Sequence, residues 1–374
     1  MGSSKTPAAT AAWLESPEAI SAVDDVLASV GLHHGRRSTR TGAWSAGERV
    51  RPPKSSRPQA PTPKAASAGL VTIPAWSKYP WLRAAFSTRH GGVSTIYTGE
   101  GPTAKGELNL GWTKEDAEAN TSANRHAFLR SATGATARHP LPELAAIRQF
   151  HSNMVRLVEP GHGPLATASG RATLRGDALI TSLPNLILGV QTADCVPVLI
   201  ADTRRRVVAA FHAGWRGTLA RVVQSGIGAM RLHYGSQPKD LIAAIGPAIG
   251  QCCFAVGEEV RFEFESQFSY APSLFTEVYD SDPIREKYPL LFLTARAPGH
   301  SNIGPQIHLD LFEANRRQLL DAGIPAKNIT VVGECTACTR LPSGRRKYFS
   351  HRAEHGFTGR MLSVIAVLAD KTKG

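Results

Sequence analysis

The sequence predicts a mixed α/β protein, and three observations carry that reading. Short runs rich in Val, Ile and Leu recur along the chain, bounded by turn residues and too short for helices. Segments with helical spacing and capping residues alternate with them. At the centre, Gly189 to Gly217 holds two all-apolar runs, Val196 to Ile200 and Val207 to Phe211, closed by the polar turn Asp202-Thr203-Arg204-Arg205. A symmetric turn there sets Cys195 directly opposite His212, on one face of an antiparallel ladder with Cβ atoms roughly 4.5–5.5 Å apart. A one-residue slip would send one of them to the other face. A thiol and an imidazole meeting at a strand end offer two chemistries, a metal pair or a nucleophile with its base.

Taken in order, residues 1–68 stand apart. Ser16-Pro17-Glu18 is a helix start, followed by Ile20, Val23, Val26, Leu27 and Val30 and ended by Gly31. This short amphipathic helix, over about 16–31, is too small to fold alone. From His33 to Ser67 the chain is rich in Arg, Ser, Pro and Ala and is expected to be a disordered linker. The folded domain is expected to begin at Gly69 and run to residue 374, with Trp76, Trp81 and Phe86 as core anchors. Phe86 to Ser94 reads as a strand entering a glycine turn, where Arg89 could clamp an anion or simply be exposed.

A polar helix carrying Asn124-Arg125 follows. Ala145 to Phe150 and Met154 to Val158 read as strands joined at Ser152-Asn153, which leaves His151 at a strand end. Gly176 to Thr181 is a further strand. After the hairpin, Gly214-Trp215-Arg216-Gly217 turns into a helix whose Leu219, Val222, Val223, Ile227 and Met230 share one face. Its free N–H groups, with Arg216 beside them, make a phosphate site or an ordinary capped helix. Leu241 to Ile245 is a buried strand, Val256 to Val260 opens a helix, and residues 266–304 are loop-rich. Asp310 caps a helix with Glu313 in the capping box, and Gly323 and Pro325 end it. Asn328 to Val332 and Met361 to Leu368 are the last strands.

At 374 residues and 42% hydrophobic, the chain can fill a large core. No apolar run approaches the ~18 residues needed to cross a bilayer. The net charge of +13 divides into +4 for residues 1–74 and +9 for the rest. No basic run alternates with aromatics, so neither nucleic acid nor a membrane is the expected partner; a phosphate-bearing or phosphate-using small substrate suits a basic body. Five cysteines without a signal peptide point to a reducing compartment. Cys335 and Cys338 form a single CxxC and the adjacent Cys252-Cys253 has poor spacing to complete a zinc site, so these four are read as packing residues.

Laid side by side, Gln149-Phe150-His151-Ser152, Thr192-Ala193-Asp194-Cys195 and His212-Ala213-Gly214-Trp215-Arg216-Gly217 resemble the three signatures of the YfiH family. This is the laccase-domain, or polyphenol-oxidase-like, family, whose members act as purine nucleoside phosphorylases. Phe86 to Ser94, Asn109-Leu110-Gly111, Asp177-Ala178, Gly246-Pro247 and Tyr348 to Arg360 fit its pattern in order, so the resemblance spans roughly residues 70–370. It implies a single-domain, three-layer α/β sandwich around a mixed sheet, and a zinc held by His151, Cys195 and His212. It implies phosphorolysis of adenosine, inosine, guanosine and methylthioadenosine, with deamination of adenosine, in a cytoplasmic monomer or homodimer. The long linker between His151 and Cys195 and the Cys252-Cys253 pair depart from the pattern without touching the ligand set.

Three protein ligands with an open fourth position make a catalytic zinc, whose bound water has a pKa of about 7, which suits deamination at adenine C6. Phosphorolysis needs phosphate held under the ribose C1′; Arg216, Arg89 and the helix start after Gly217 are the expected holders. Asp194 is expected either to orient a ligand or to make a strand-end hydrogen bond. Copper is less natural, because multicopper oxidation needs many more histidines. The rivals are metal-free hydrolysis with Cys195 as nucleophile and His212 as base, peptidoglycan-precursor editing, and a metal-stabilised binding scaffold without catalysis.

Overall fold

Leu186, Leu188 and Val190 point to one side of a strand and Ile187 to the other, and both sets are buried. A strand covered on both faces needs a layer on each side. The computed structural model supplies them over its described residues, 69–98, 106–136, 140–278 and 306–369, all of which belong to one folded unit. The expected helix over 16–31 and its linker lie outside the described residues, as does most of the loop-rich stretch after 278.

Two mixed sheets form the middle. The first runs Leu70–Val71, Leu82–Ser87, Met361–Val367, Leu186–Thr192, Glu143–Ala146, with only the last pair parallel. The second runs Ile329–Val331, Leu241–Ile245, Val196–Asp202, Val208–Ala213, Ala178–Thr181, Val155–Leu157, antiparallel at its centre and parallel at both edges. They pack face to face through Leu186, Leu188 and Val190 against Leu199, Val208 and Ala210. Helix Glu118–Thr133 covers the outer face of the first sheet with Phe128 and Leu129. Helices Val222–Tyr234, Glu258–Gln267 and Leu311–Asp321 cover the second with Val223, Phe264 and Leu319. The expected α/β class with mixed pairing is present, and the sandwich is built around two sheets.

The local rules hold in detail. Asp310 accepts from the Glu313 backbone N–H at 2.9 Å, and Gly323 takes a positive φ of 89° just beyond the helix. Trp76 and Phe86 are buried, as expected of anchors, whereas Trp81 is only half-buried at the edge of the core.

The central hairpin corrects one expectation. Its loop is Thr203 to Arg206, because Asp202 Oδ1 accepts from the backbone N–H groups of Arg204 and Arg205 and Arg206 adopts a left-handed φ of 55°. His212 therefore pairs with Pro197, not with Cys195. The shift is two residues, which preserves the face, so Cys195 lies diagonal to His212 on the same side of the sheet. The segment after the hairpin also differs. A five-residue helix, Trp215–Leu219, ends before Arg221, which sits at φ 58°, and the longer helix starts afresh at Val222. The continuous helix expected from Gly217 is thus broken.

Candidate metal centre

His151, Cys195 and His212 come from three segments and converge: one donor atom of each lies within 4.8 Å of the others. His151 Nε2 is 3.7 Å from Cys195 Sγ, and the two imidazole rings meet edge to face at 4.9 Å between centroids. His212 is buried, Cys195 half-buried and His151 exposed, so the trio opens toward solvent on the His151 side.

One carboxylate arranges two of the three. Asp177 opens the strand Ala178–Thr181 and is fully buried. Its Oδ1 accepts from the backbone N–H of His151 at 3.0 Å, and its Oδ2 accepts from the Ser152 N–H at 2.7 Å and the Ser152 hydroxyl at 2.6 Å. These bonds hold His151 in its left-handed turn, φ 64°. Oδ1 also receives His212 Nδ1–H at 2.8 Å. A carboxylate only accepts, so the proton sits on Nδ1 and the Nε2 lone pair is left for the site. Gln149 adds a second tie: its amide brackets Gln191, donating to the carbonyl at 2.7 Å and accepting from the N–H at 2.8 Å.

Gly214 completes the packing. A Cβ there would lie 2.9 Å from both Cys195 Sγ and His151 Cδ2, so only glycine lets the chain pass behind the two side chains. Without an ion, burial would raise the Cys195 thiol, but the facing His212 charge and the bonds from both histidines outweigh it and bring the pKa well below the ordinary thiol range. Burial likewise opposes the His212 charge, and the Cys195 thiolate with Asp177 reverses this and raises it. Burial would raise Asp177 too; the bonds from His212 and Ser152 instead bring it down to about 2.

Two imidazoles and a thiolate gathered with one side open fit a tetrahedral ion with a vacant fourth position, which is zinc's catalytic pattern. They do not fit multicopper chemistry: among the described residues, the other gathered ligand group is all cysteine, so no second histidine cluster is available.

The trio opens into a cavity of about 750 Å³. Its wall carries Arg148, Arg171, Arg216, Arg352 and Arg360, against a single carboxylate, Asp194. Asp194 is occupied, accepting from the Thr336 hydroxyl at 2.7 Å and the Arg352 backbone N–H at 2.7 Å. Trp112, Trp215 and Phe254 add flat apolar faces.

The structure thus brings His151, Cys195, His212, Asp194 and Arg216 to one cavity and leaves Arg89 out. Arg89 is buried between Glu107 and Glu354, each 2.9 Å away, and stacks over Phe349, so the expected anion clamp is instead an internal ion pair. Asp194 makes the strand-end bonds, and the carboxylate that bonds the His212 ring and the His151 backbone is Asp177. A cue for Asp177 existed, an acid directly ahead of the all-apolar run Ala178-Leu179-Ile180. The arginines other than Arg216 carried no local cue, since residues 148, 171, 352 and 360 meet only through the fold.

A sequence model described as "Multi-copper polyphenol oxidoreductase laccase" matches residues 83–368. The purine nucleoside phosphorylase YlmD of Geobacillus stearothermophilus is 32% identical over 289 residues, 76% of this chain and 93% of that protein. Adenosine deaminase RL5, from an unknown prokaryotic organism, is 34% identical over 209 residues, 55% of this chain and 71% of that protein. The crystal structure of the Bacillus licheniformis hypothetical protein YfiH superposes with a TM-score of 0.63 at 30% identity, covering 80% of this chain and 97% of that one.

Proposed function

The chain belongs to the multi-copper polyphenol oxidoreductase laccase family, the family of YfiH and YlmD, and on that premise we propose that it is a zinc-dependent purine nucleoside phosphorylase that also deaminates adenosine. Adenosine, inosine, guanosine and methylthioadenosine are its nucleoside substrates and phosphate its second substrate. One observation carries the reading: the His-Cys-His group shares a cavity with five arginines and one occupied carboxylate.

His151, Cys195 and His212 hold the ion. When bound, zinc supplies a Lewis acid and a water acidified to a pKa of about 7. Asp177 keeps the Nδ1 proton of His212 in place, so that ring remains a donor of its Nε2 lone pair throughout. Arg216 and the neighbouring cavity arginines collect phosphate and hold it under the ribose C1′, where its oxygen attacks as the bond to the purine nitrogen breaks. Trp112, Trp215 and Phe254 offer faces for the base and exclude water from the reacting carbon.

Copper-dependent phenol oxidation, which the family's description suggests, lacks its histidines among the described residues. No helix among those residues is long and apolar enough to cross a membrane. We assign the protein to the cytoplasm, where cysteines outside disulfides persist, and assign catalysis to residues 69–374; deleting 1–68 leaves activity unchanged.

The test is a pair of assays on the metal-replete full chain. Inosine must yield hypoxanthine at a rate that saturates with added phosphate, and adenosine must yield inosine. Failure of both would end the proposal.

A further inference from the structure

The sequence alone reads Cys252, Cys253, Cys335 and Cys338 as packing residues, and the fold gathers them. Their four sulfurs all lie within 4.8 Å of one another, with Cys252 Sγ and Cys338 Sγ 3.6 Å apart. The pairs come from two turns far apart in sequence. Gly250 to Cys253 turns over on itself, with the Cys253 and Phe254 N–H groups both donating to the Gly250 carbonyl. Cys335 to Thr339 closes a second turn through Thr339 N–H to the Cys335 carbonyl. The turns are joined by Thr336 N–H donating to the Ala248 carbonyl at 2.9 Å. Adjacent cysteines, poorly spaced on a strand or helix, can therefore face one point.

We infer that these four cysteines form a closed, mononuclear zinc centre, separate from the His-Cys-His site. Three features argue for it. A tetrahedral ion with sulfurs at about 2.3 Å sets those sulfurs roughly 3.8 Å apart, within the observed range. An iron–sulfur cluster would need some of the thiolates spread across different irons, which four mutually adjacent sulfurs do not allow. Cys335 Sγ accepts the Gly250 backbone N–H at 3.2 Å, a bond from one turn to the sulfur of the other. A backbone donor on that sulfur suits a metal-bound thiolate, whose charge it offsets. Four protein ligands leave no open position, so the role is structural.

Its place in the fold gives it something to hold. Thr336, inside the CxxC, donates its hydroxyl to Asp194, and Ile249 N–H donates to the Asp194 carbonyl at 2.8 Å. Asp194 takes a strained φ of 94° directly before Cys195. The ion would tie together the two turns that grip this residue.

Element analysis of the full chain and two variants tests the inference. The parent is expected to hold two zinc ions per chain, Cys195→Ala one, and the double variant Cys335→Ser/Cys338→Ser one. Should the double variant fail to fold, cobalt-loaded Cys195→Ala keeps the test open: it must show the intense thiolate-to-cobalt charge transfer and tetrahedral visible bands of an all-sulfur site. A parent with a single zinc that survives in Cys195→Ala would support this centre while removing the metal from the catalytic reading. Cys195→Ala protein with no metal, no cobalt spectrum and four freely titrating thiols, or with a Cys252–Cys338 disulfide, would overturn it.

Discussion

Asp177 Oδ1 lies 2.8 Å from His212 Nδ1 and 3.0 Å from the backbone nitrogen of His151, so one buried carboxylate oxygen positions two of the three donors. Replacing it tests whether that geometry matters to the ion. Asp177→Asn keeps the shape and removes the charge, and should weaken zinc binding by roughly 10–100-fold in a chelator competition. The same carboxylate has a pH signature. Because its folded pKa is lowered to about 2, its stabilising contribution is complete above the unfolded range near 4 and is lost as pH falls toward 2. The acid limb of the metal-free parent should therefore be steeper than that of Asp177→Asn; equal limbs would count against the assigned role.

Gly214 predicts a steric effect without a change of charge. Its φ of −67° suits any residue, so the obstacle to Gly214→Ala is the 2.9 Å approach of the new Cβ to Cys195 and His151. The expected cost is about 1–3 kcal/mol in urea unfolding of the metal-free protein, together with weaker zinc binding. Unchanged values for both would mean the ligand side chains relax freely.

The two arginines singled out by sequence should behave oppositely. Arg216→Ala should raise KM for phosphate by on the order of tenfold or more, the worth of one charge-assisted hydrogen bond, with little change in stability. Glu107→Gln, which breaks the internal pair with Arg89, should cost about 3 kcal/mol of stability and leave KM for phosphate alone. Urea melts and initial rates on both variants separate the two roles.

In protein stripped of metal, Cys195 should react as a thiolate at unusually low pH. Burial works against ionisation, but His212 and His151 more than compensate, so the thiolate persists below the ordinary thiol range. The rate of iodoacetamide alkylation should level off below the pH typical of free cysteine, and zinc should protect the sulfur. A profile with an ordinary inflection would remove the charged neighbours from the account.

The grouping of His151, Cys195 and His212 was legible because each lies in a short motif with a distinctive residue order: Gln149 to Ser152, Thr192 to Cys195 and His212 to Gly217. Strand identity was legible for the same local reason, since Leu241–Ile245 is apolar throughout and bounded by turns. Register was not, because Asp202 caps the turn with its own side chain and pushes the loop one residue along, which periodicity does not record. Long-range pairing was equally hidden. Arg89 looked like a free cation beside two glycines until the fold brought Glu354 to it from the far end of the chain. The four cysteines looked unrelated because vicinal spacing suits no regular element, and only the two facing turns unite them.

In the proposed reaction phosphate, not water, takes the ribose from the base. Phosphorus NMR of a reaction containing inosine, phosphate and the zinc-loaded full chain reads this directly. A new resonance of ribose 1-phosphate is expected to grow in step with hypoxanthine; free ribose with inorganic phosphate as the sole phosphorus signal would rule out phosphorolysis and favour a Cys195–His212 hydrolase.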